Sequence, residues 1–446
     1  MIDVTNGNLT KPLLKLAIPF IMAMLVETVM NLTNMFFVSR LGSEAIAAVA
    51  FCGTLLMLTA TIIEGMSSAV LAIVSRRVGE GDRNGANEVT IHTIIICIVT
   101  SLIISIAGYY AAAPLMRLLG ATPSVFQFGI HYTQISFLGI YSMFFLFTIQ
   151  AIMRGAGEPI YPVAILASSA LLNIILDPLL IFGIGPFPKL GVSGAAIATV
   201  LARTLASSAG LFILFKGKTY IKPTFANLKL KNDIFINIIR IAFPAMGRMS
   251  LTSISRIALM KIVSIFGTSA IAAYGISLRF DMVAFLPGLG FAAATSTVVG
   301  QNLGAKKPER AEEVTKIALY CNFIVAGFLA AVFLLFAGEI VSVFDKNTEV
   351  LSMGKMYIYI VAPTYLFMSA RLVYNGSLRG AGDTFSSMII SLISLFVIQI
   401  PIAYILANYT PLSMNGVWIS LASVNVFEAI MLGYWFRRGN WKTIIF

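Results

Sequence analysis

The chain has 446 residues, 58% of them hydrophobic and only 11% charged, with a formal net charge of +12 and a mean hydropathy of +0.91. A soluble domain carries about 25% charged residues, so this composition excludes a water-soluble enzyme and requires a chain embedded in a bilayer. The basic excess does not mark a nucleic-acid binder, because its placement along the chain follows the membrane topology.

At about 20 residues per crossing helix, spans are expected near 13–39, 45–73, 90–113, 125–150, 160–183 and 193–215. A second series follows near 235–265, 270–300, 316–337, 351–375, 385–406 and 414–437. The first apolar run follows Lys11, Pro12 and Lys15 and continues past Glu27 to Phe37, which reads as a retained helix and not a signal peptide. Lys and Arg gather in alternate loops, at Arg76, Arg77 and Arg83, at Lys216, Lys218, Lys222 and Lys231, at Lys306, Lys307 and Arg310, and at Arg437, Arg438 and Lys442. The positive-inside rule makes those loops cytoplasmic and puts both termini inside. The expected location is therefore the cell inner (plasma) membrane, multi-pass. Cys52, Cys97 and Cys321 are far apart in apolar surroundings, so neither a disulfide framework nor a zinc site is expected.

RGAGE at 154–158 and RGAGD at 379–383 lie 225 positions apart, and the second contains G-x-G-D, which resembles the motif of intramembrane aspartyl proteases. At the same offset, without a gap, Gly42 to Thr90 meets Gly267 to Thr315 with 14 of 49 pairs identical. Pro19 then meets Pro244, and Gly191-Val192 meets Gly416-Val417. One register over the whole chain means two homologous halves. Six spans in each make them parallel repeats about an axis along the membrane normal. The expected division is an N-terminal six-helix lobe at 1–215, a cytoplasmic linker at 216–234 and a C-terminal six-helix lobe at 235–446. The pentads become equivalent cytoplasmic turns, in which glycine permits the tight bend and arginine meets lipid headgroups. Glu158 and Asp383 then sit in loops, not opposite each other as a protease requires, and no catalytic pair is left.

Residues polar in only one half are the ones the duplicated frame does not need. A charge at membrane depth costs about 2.5 to 3.5 kcal/mol on insertion scales and marks function. Glu27 meets Thr252, Asn34 meets Leu259, Asn173 meets Ile398 and Asp177 meets Ile402. Glu27, Asn31 and Asn34 share one face of the first helix, and Asn173 and Asp177 share one face of the fifth. Such oxygen-rich faces suit a hard cation or a proton. Pro178 leaves the carbonyl of residue 174 without its helical partner beside Asp177. Glu64 is a further unmatched acid. In the second half Arg248, Arg256, Arg279 and Arg371 stand opposite Ala23, Asn31, Thr54 and Leu146, and inter-helix ion pairs are expected for Arg248, Arg256 and Arg371. Arg203 and Glu428 are repeat counterparts of opposite charge and candidates for a lobe-spanning pair.

NIILDPLLIFGIGPFPKLGVSGAAIAT (173–199), NLTNMFFVSRLGSEAIAAVA (31–50), YGISLRFDMVAFLPGLGFAAATSTVVGQNLGA (274–305) and the RGAG loops closely resemble the multidrug and toxic compound extrusion (MATE) family, nearest in pattern to its DinF-like and related prokaryotic branches. The resemblance implies an all-α polytopic membrane protein with twelve helices in two six-helix bundles around a V-shaped chamber. It implies efflux of organic, often cationic and lipophilic compounds driven by inward H+ or Na+. In those branches the coupling site uses an acid in the first helix, Asn and Asp of N-x-x-x-D-P in the fifth and a Thr in the sixth. Asn173, Asp177 and Thr199 match, but Asn34 replaces the acid, and Glu27, two turns earlier, is expected to supply the missing carboxylate.

The expected protein is a secondary antiporter, not an enzyme. It uses no cofactor beyond H+ or Na+ as coupling ion, is a monomer in the lipid bilayer, and binds small organic substrates and no nucleic acid. Ion coupling is expected at Asp177, Glu27, Asn34, Asn173 and Thr199, with Na+ held by Asp177, Asn173, Asn34 and Thr199. Substrate contacts are expected at Asn31, Met30, Met35, Phe36, Tyr141, Phe280, Arg279 and Asp281. The alternative is a flippase of a lipid-linked precursor, in which the membrane arginines would hold pyrophosphate.

Overall fold

The computed structural model describes residues 2–224, 230–444 and 446. The expected linker includes residues 225–229, which lie outside the described residues. Among the described residues the regular structure is helical throughout. The first half comprises α1 (Thr10–Ser39), α2 (Ser43–Gly79), α3 (Arg83–Leu118), α4 (Pro123–Leu138), α5 (Ile140–Gly155), α6 (Ile160–Phe182) and α7 (Val192–Phe215). The second comprises α8 (Asn232–Val263), α9 (Thr268–Gly304), α10 (Pro308–Leu335), α11 (Ala337–Ser342), α12 (Thr348–Val361), α13 (Tyr365–Gly380), α14 (Thr384–Leu392), α15 (Ile400–Tyr409) and α16 (Met414–Arg438).

Eleven helical stretches are long and apolar enough to cross a membrane, and twelve when α4 and α5, bent by 45° at Gly139, count as one span. Several helices run past the expected apolar limits: α2 continues to Gly79 and α9 to Gly304. These polar ends carry the helix beyond the hydrocarbon, where capping groups take over. Asp82 accepts from the Gly85 N–H at the start of α3, and Asp383 accepts from the Ser386 N–H at the start of α14.

Two compact units form. One contains Met1–Asp3 with Ile18–Ala242, the other Val4–Ala17 with Phe243–Phe446. The boundaries after Ala17 and Ala242 are equivalent positions in the repeat register, so the units exchange the N-terminal ends of α1 and α8. Hydrogen bonds show why each end stays with its unit. In the second, Asn302 Nδ2 donates to the Val4 carbonyl at 3.1 Å, Lys307 Nζ to the Thr5 carbonyl at 2.9 Å and Arg310 Nη2 to the Gly7 carbonyl at 2.9 Å. In the first, the Lys231 N–H donates to His92 Nε2 at 2.9 Å and Lys231 Nζ to Glu88 Oε2 at 2.6 Å. His92, buried against Phe235, is thus a packing residue.

One core of the first unit is built from Ile63, Met66, Cys97, Ile140 and Phe144. The second unit has a large core in which Tyr274 stacks on Trp418 and Tyr357 meets the same ring edge-on. Without the lipid-excluded hydrophobic drive of water, close helix contact depends on small residues. A Cβ on Gly376 or Gly380 of α13 would lie 2.3 and 2.2 Å from the Ala292 and Ser296 carbonyl oxygens of α9. That G-x-x-x-G spacing is visible in the sequence and is the seam of the second unit.

Both RGAG segments form left-handed glycine turns, with φ of +74° at Gly157 and +80° at Gly382. Glu158 Oε1 accepts from the Tyr220 N–H at 2.6 Å, and Asp383 Oδ2 accepts from Trp435 Nε1 at 2.8 Å. These acids hold loops and helix ends in place. The expected headgroup role of Arg154 is corrected: its Nε is buried, its guanidinium lies 5.9 Å from the Phe20 ring, and it interacts with the Glu27 carboxylate.

Candidate functional site

The four first-unit polar positions on α1, α6 and α7 come together. Asn34 Nδ2 donates to Asp177 Oδ2 at 3.2 Å, and Asn173 Nδ2 donates to Asp177 Oδ1 at 3.3 Å and to Thr199 Oγ1 at 3.2 Å. The i to i+4 spacing on α6 aligns Asn173 with Asp177, and Pro178 continues the same helix. The meeting with α7 has a steric basis: a Cβ on Gly194 would lie 2.4 Å from the Leu180 carbonyl oxygen, so only glycine allows the two backbones this close. Five residues further along α7, Thr199 then reaches Asn173.

Asp177 is 0% exposed. A cavity of about 130 Å³ opens beside it, lined by Asn31, Asn34, Asn173, Thr199, Tyr132 and Arg203 among others. Both amides give their N–H groups to a carboxylate, the arrangement that stabilises its ionised form. Turning either amide over would replace a donor with a carbonyl oxygen. One carboxylate, two amide oxygens and a hydroxyl then become available to a small hard cation. Among the described residues no cluster of three or more His, Cys, Asp or Glu side chains forms a multivalent metal centre.

Glu27 occupies a different part of the same unit. Its carboxylate interacts with Arg203, Glu64 and Arg154. On an α-helix its seven-residue separation from Asn34 is about 10 Å of rise, so it does not share the Asp177 hydrogen bonds. Arg203 connects the two regions, lining the cavity and interacting with both Glu27 and Tyr132, which in turn interacts with Asp177. Tyr132 was not singled out in the sequence, and its only signal was a hydroxyl-bearing aromatic within an apolar run.

The expected pairing of Arg203 with Glu428 is overturned. Glu428 Oε2 accepts from Arg371 Nη1 at 2.7 Å and its Oε1 from Ser391 Oγ at 2.8 Å, all inside the second unit. Glu428, on α16, is paired with Arg371 of α13, and Arg203, on α7, feels the charge of Glu27 on α1. Arg248 also interacts with Glu428, while Arg256 forms no such pair.

Of the expected substrate contacts, Asn31 and Met30 line the first-unit cavity. Met35, Phe36 and Tyr141 are exposed. The Phe36 ring carries the Arg40 guanidinium at 4.9 Å, and Tyr141 Oη lies 3.2 Å from Thr204 Oγ1. Phe280 is a correction: at 3% exposure it packs on Phe333 and Phe344 in the second core, because its α9 face turns inward. Arg279 lies over the Phe344 ring at 5.7 Å. Asp281 accepts hydrogen bonds from the Tyr357 and Tyr365 hydroxyls and lines a separate second-unit cavity.

Duplicated six-span halves, an all-helical membrane fold and a buried carboxylate beside a polar cavity define a membrane transporter, not an enzyme. The chain belongs to the MatE family, whose model matches residues 19–179 and 244–405. The two matches begin one repeat length apart. The chain is 26% identical to the probable multidrug resistance protein YoeA of Bacillus subtilis, over 95% of this chain and 92% of that protein. It is also 26% identical to an FAD transporter of Shewanella oneidensis, over 97% and 96%. A solved MOP superfamily transporter from Pyrococcus furiosus superposes with a TM-score of 0.91 at 26% identity, covering 98% of this chain and 97% of that one.

Proposed function

We propose that the protein is a multidrug efflux antiporter that exports organic, cationic amphipathic compounds in exchange for inward H+ or Na+ by alternating access. The observation that carries this reading is the convergence of Asn34, Asn173 and Thr199 around the buried Asp177 beside a cavity. Asp177 is the coupling carboxylate. Glu27 acts on it through Arg203 and Tyr132 and not as a second ligand. The match of Asn173, Asp177 and Pro178 to N-x-x-x-D-P supports a place near the DinF-like and related branches, and the alternating basic loops support cytoplasmic termini in the plasma membrane.

A membrane potential supplies about 2.3 kcal/mol per charge per 100 mV. That is enough to bias a two-state carrier whose site is occupied by one ion in turn with one substrate. The test is transport of a fluorescent lipophilic cation in proteoliposomes with pH and sodium gradients imposed independently. One of the two gradients is expected to drive export, and Asp177→Asn is expected to abolish the driven component in a monodisperse protein. Undiminished gradient-driven export by Asp177→Asn would reject the assignment.

A further inference from the structure

The second unit contains a cavity of about 410 Å³ that is the repeat counterpart of the one beside Asp177. Met30, Asn31, Asn34, Leu56 and Thr199 in the first wall correspond to Ser255, Arg256, Leu259, Asp281 and Val424 in the second. The oxygen set has gone: Leu259 replaces Asn34, Val424 replaces Thr199 and Ile402 replaces Asp177. Duplication has kept the hollow and changed its chemistry.

What stands there instead is an uncommitted cation. Arg256 is exposed on a membrane-spanning helix and forms no hydrogen bond or ion pair among the described residues. Its charge is felt by Asp281, whose Oδ1 is already held by the Tyr357 and Tyr365 hydroxyls. Arg371, in the same wall, is committed to Glu428 through Nη1, while its buried Nε has no partner. The Tyr274 hydroxyl also lacks one, on a residue only 2% exposed. Gln399 accepts from Ser255 Oγ through Oε1 at 2.7 Å, which leaves its Nε2 to donate. Gln399 closes a π-helical turn, Ile393–Gln399, in the span that is regular in the first half. Such turns recur at functional sites because they re-aim side chains. Apart from Thr252 and Asn425, whose Nδ2 is given to Thr364, the remaining wall is apolar, with Met282, Phe285 and Met368 prominent.

A bare guanidinium and unsatisfied N–H and O–H donors in an apolar hollow complement an oxyanion carried on a hydrophobic body. We propose that this cavity is a second ligand site, taking the carboxylate or phosphate end of an amphipathic organic anion, with Arg256 as its charge partner and Gln399 and Tyr274 as neutral donors. It is independent of the coupling role assigned to Asp177, and binding to it is read without any ion gradient.

The test uses the full chain in phosphatidylcholine nanodiscs and three probes sharing one fluorophore: dansylglycine, its methyl ester and dansylcadaverine. Fluorescence titration, with empty nanodiscs subtracted, is expected to rank the anion about tenfold tighter than the neutral ester, the scale of a hydrogen bond to a charged group. This ranking is measured on the unaltered chain and needs no variant. Arg256→Gln is expected to remove the preference, and Lys261→Gln, on the same helix outside the cavity, to keep it. Equal binding of acid and ester, a preference for the amine probe, or an unchanged ranking in a folded Arg256→Gln protein would each overturn the proposal. Phosphatidylglycerol in the nanodisc that displaces dansylglycine would identify the anion as a lipid headgroup, whereas undiminished probe binding would identify it as a soluble amphiphile.

Discussion

Asn34 Nδ2 donates to Asp177 Oδ2 across 3.2 Å, tying the first helix of the chain to its fifth span at membrane depth. An amide at residue 34 sets a neutral donor against the Asp177 carboxyl, where a second acid would repel it. Asn34→Ala is expected to lower stability by about 1 to 2 kcal/mol, the value of one hydrogen bond to a charged acceptor. Asn34→Asp puts two carboxylates within reach of one another, and one must hold a proton. Its melting temperature is therefore expected to fall more steeply than the parent's from mildly acidic to mildly alkaline pH. Parallel pH profiles in detergent would contradict this electrostatic account.

The Arg371–Glu428 pair predicts a different pattern. Its side chains are 19% and 3% exposed, so removing Arg371 takes an ion-paired hydrogen bond from a buried carboxylate that keeps only the charge of Arg248. Arg371→Met alone is expected to cost about 3 to 5 kcal/mol. The double variant Arg371→Met, Glu428→Leu is expected to recover much of that loss, because a buried ion pair exchanged for apolar groups of similar volume is often near neutral. Thermal unfolding of the two singles and the double provides the cycle, and strict additivity would show that the pair is not coupled.

The glycine seam between α9 and α13 gives a steric prediction. Alanine at Gly376 or Gly380 must push α13 away from carbonyl oxygens 2.3 and 2.2 Å from the new Cβ, at about 1 to 3 kcal/mol each. Gly53 in α2 has open space around the same atom. Gly53→Ala is expected to stabilise by about 0.5 to 1 kcal/mol through lower unfolded-state entropy. Melting temperatures moving in the same direction for both substitutions would reject the contact argument.

Glu158, at the RGAGE turn, has its carboxyl raised above the ordinary carboxylate range by burial, against the opposing hydrogen bond from the Tyr220 N–H. For an acid raised in the folded state, the stabilising contribution is present below the unfolded value and is lost as pH rises through the folded one. Glu158→Gln keeps an acceptor for Tyr220 and carries no charge. It is expected to melt above the parent at neutral pH and to converge with it in acid. A gap that widens toward acid would reverse the sign and refute the account.

Much of this protein is local, and the sequence by itself determined it. Helix length and apolarity follow from composition, so nearly every span was legible, with ends displaced where polar residues extend helices such as α2, α3, α9 and α10. The repeat register needed no coordinates, and it pointed to Asn34, Asn173 and Asp177 because symmetry did not require them. Asn173 and Asp177 share a face through the 3.6-residue period alone. The tertiary structure decided which charges meet. Arg203 and Glu428 look like partners by register, yet Glu428 pairs with Arg371 inside its own unit, and Arg203 feels the charge of Glu27 inside the other. Phe280 turned into a core, Arg256 was left uncommitted, and the ends of α1 and α8 were exchanged at Ala17 and Ala242. The physical reason is that periodicity sets only which residues share a helix face. Which helix that face meets, and at what rotation, is set by close contacts such as Gly194 on Leu180 and Gly380 on Ser296, between residues distant in the chain.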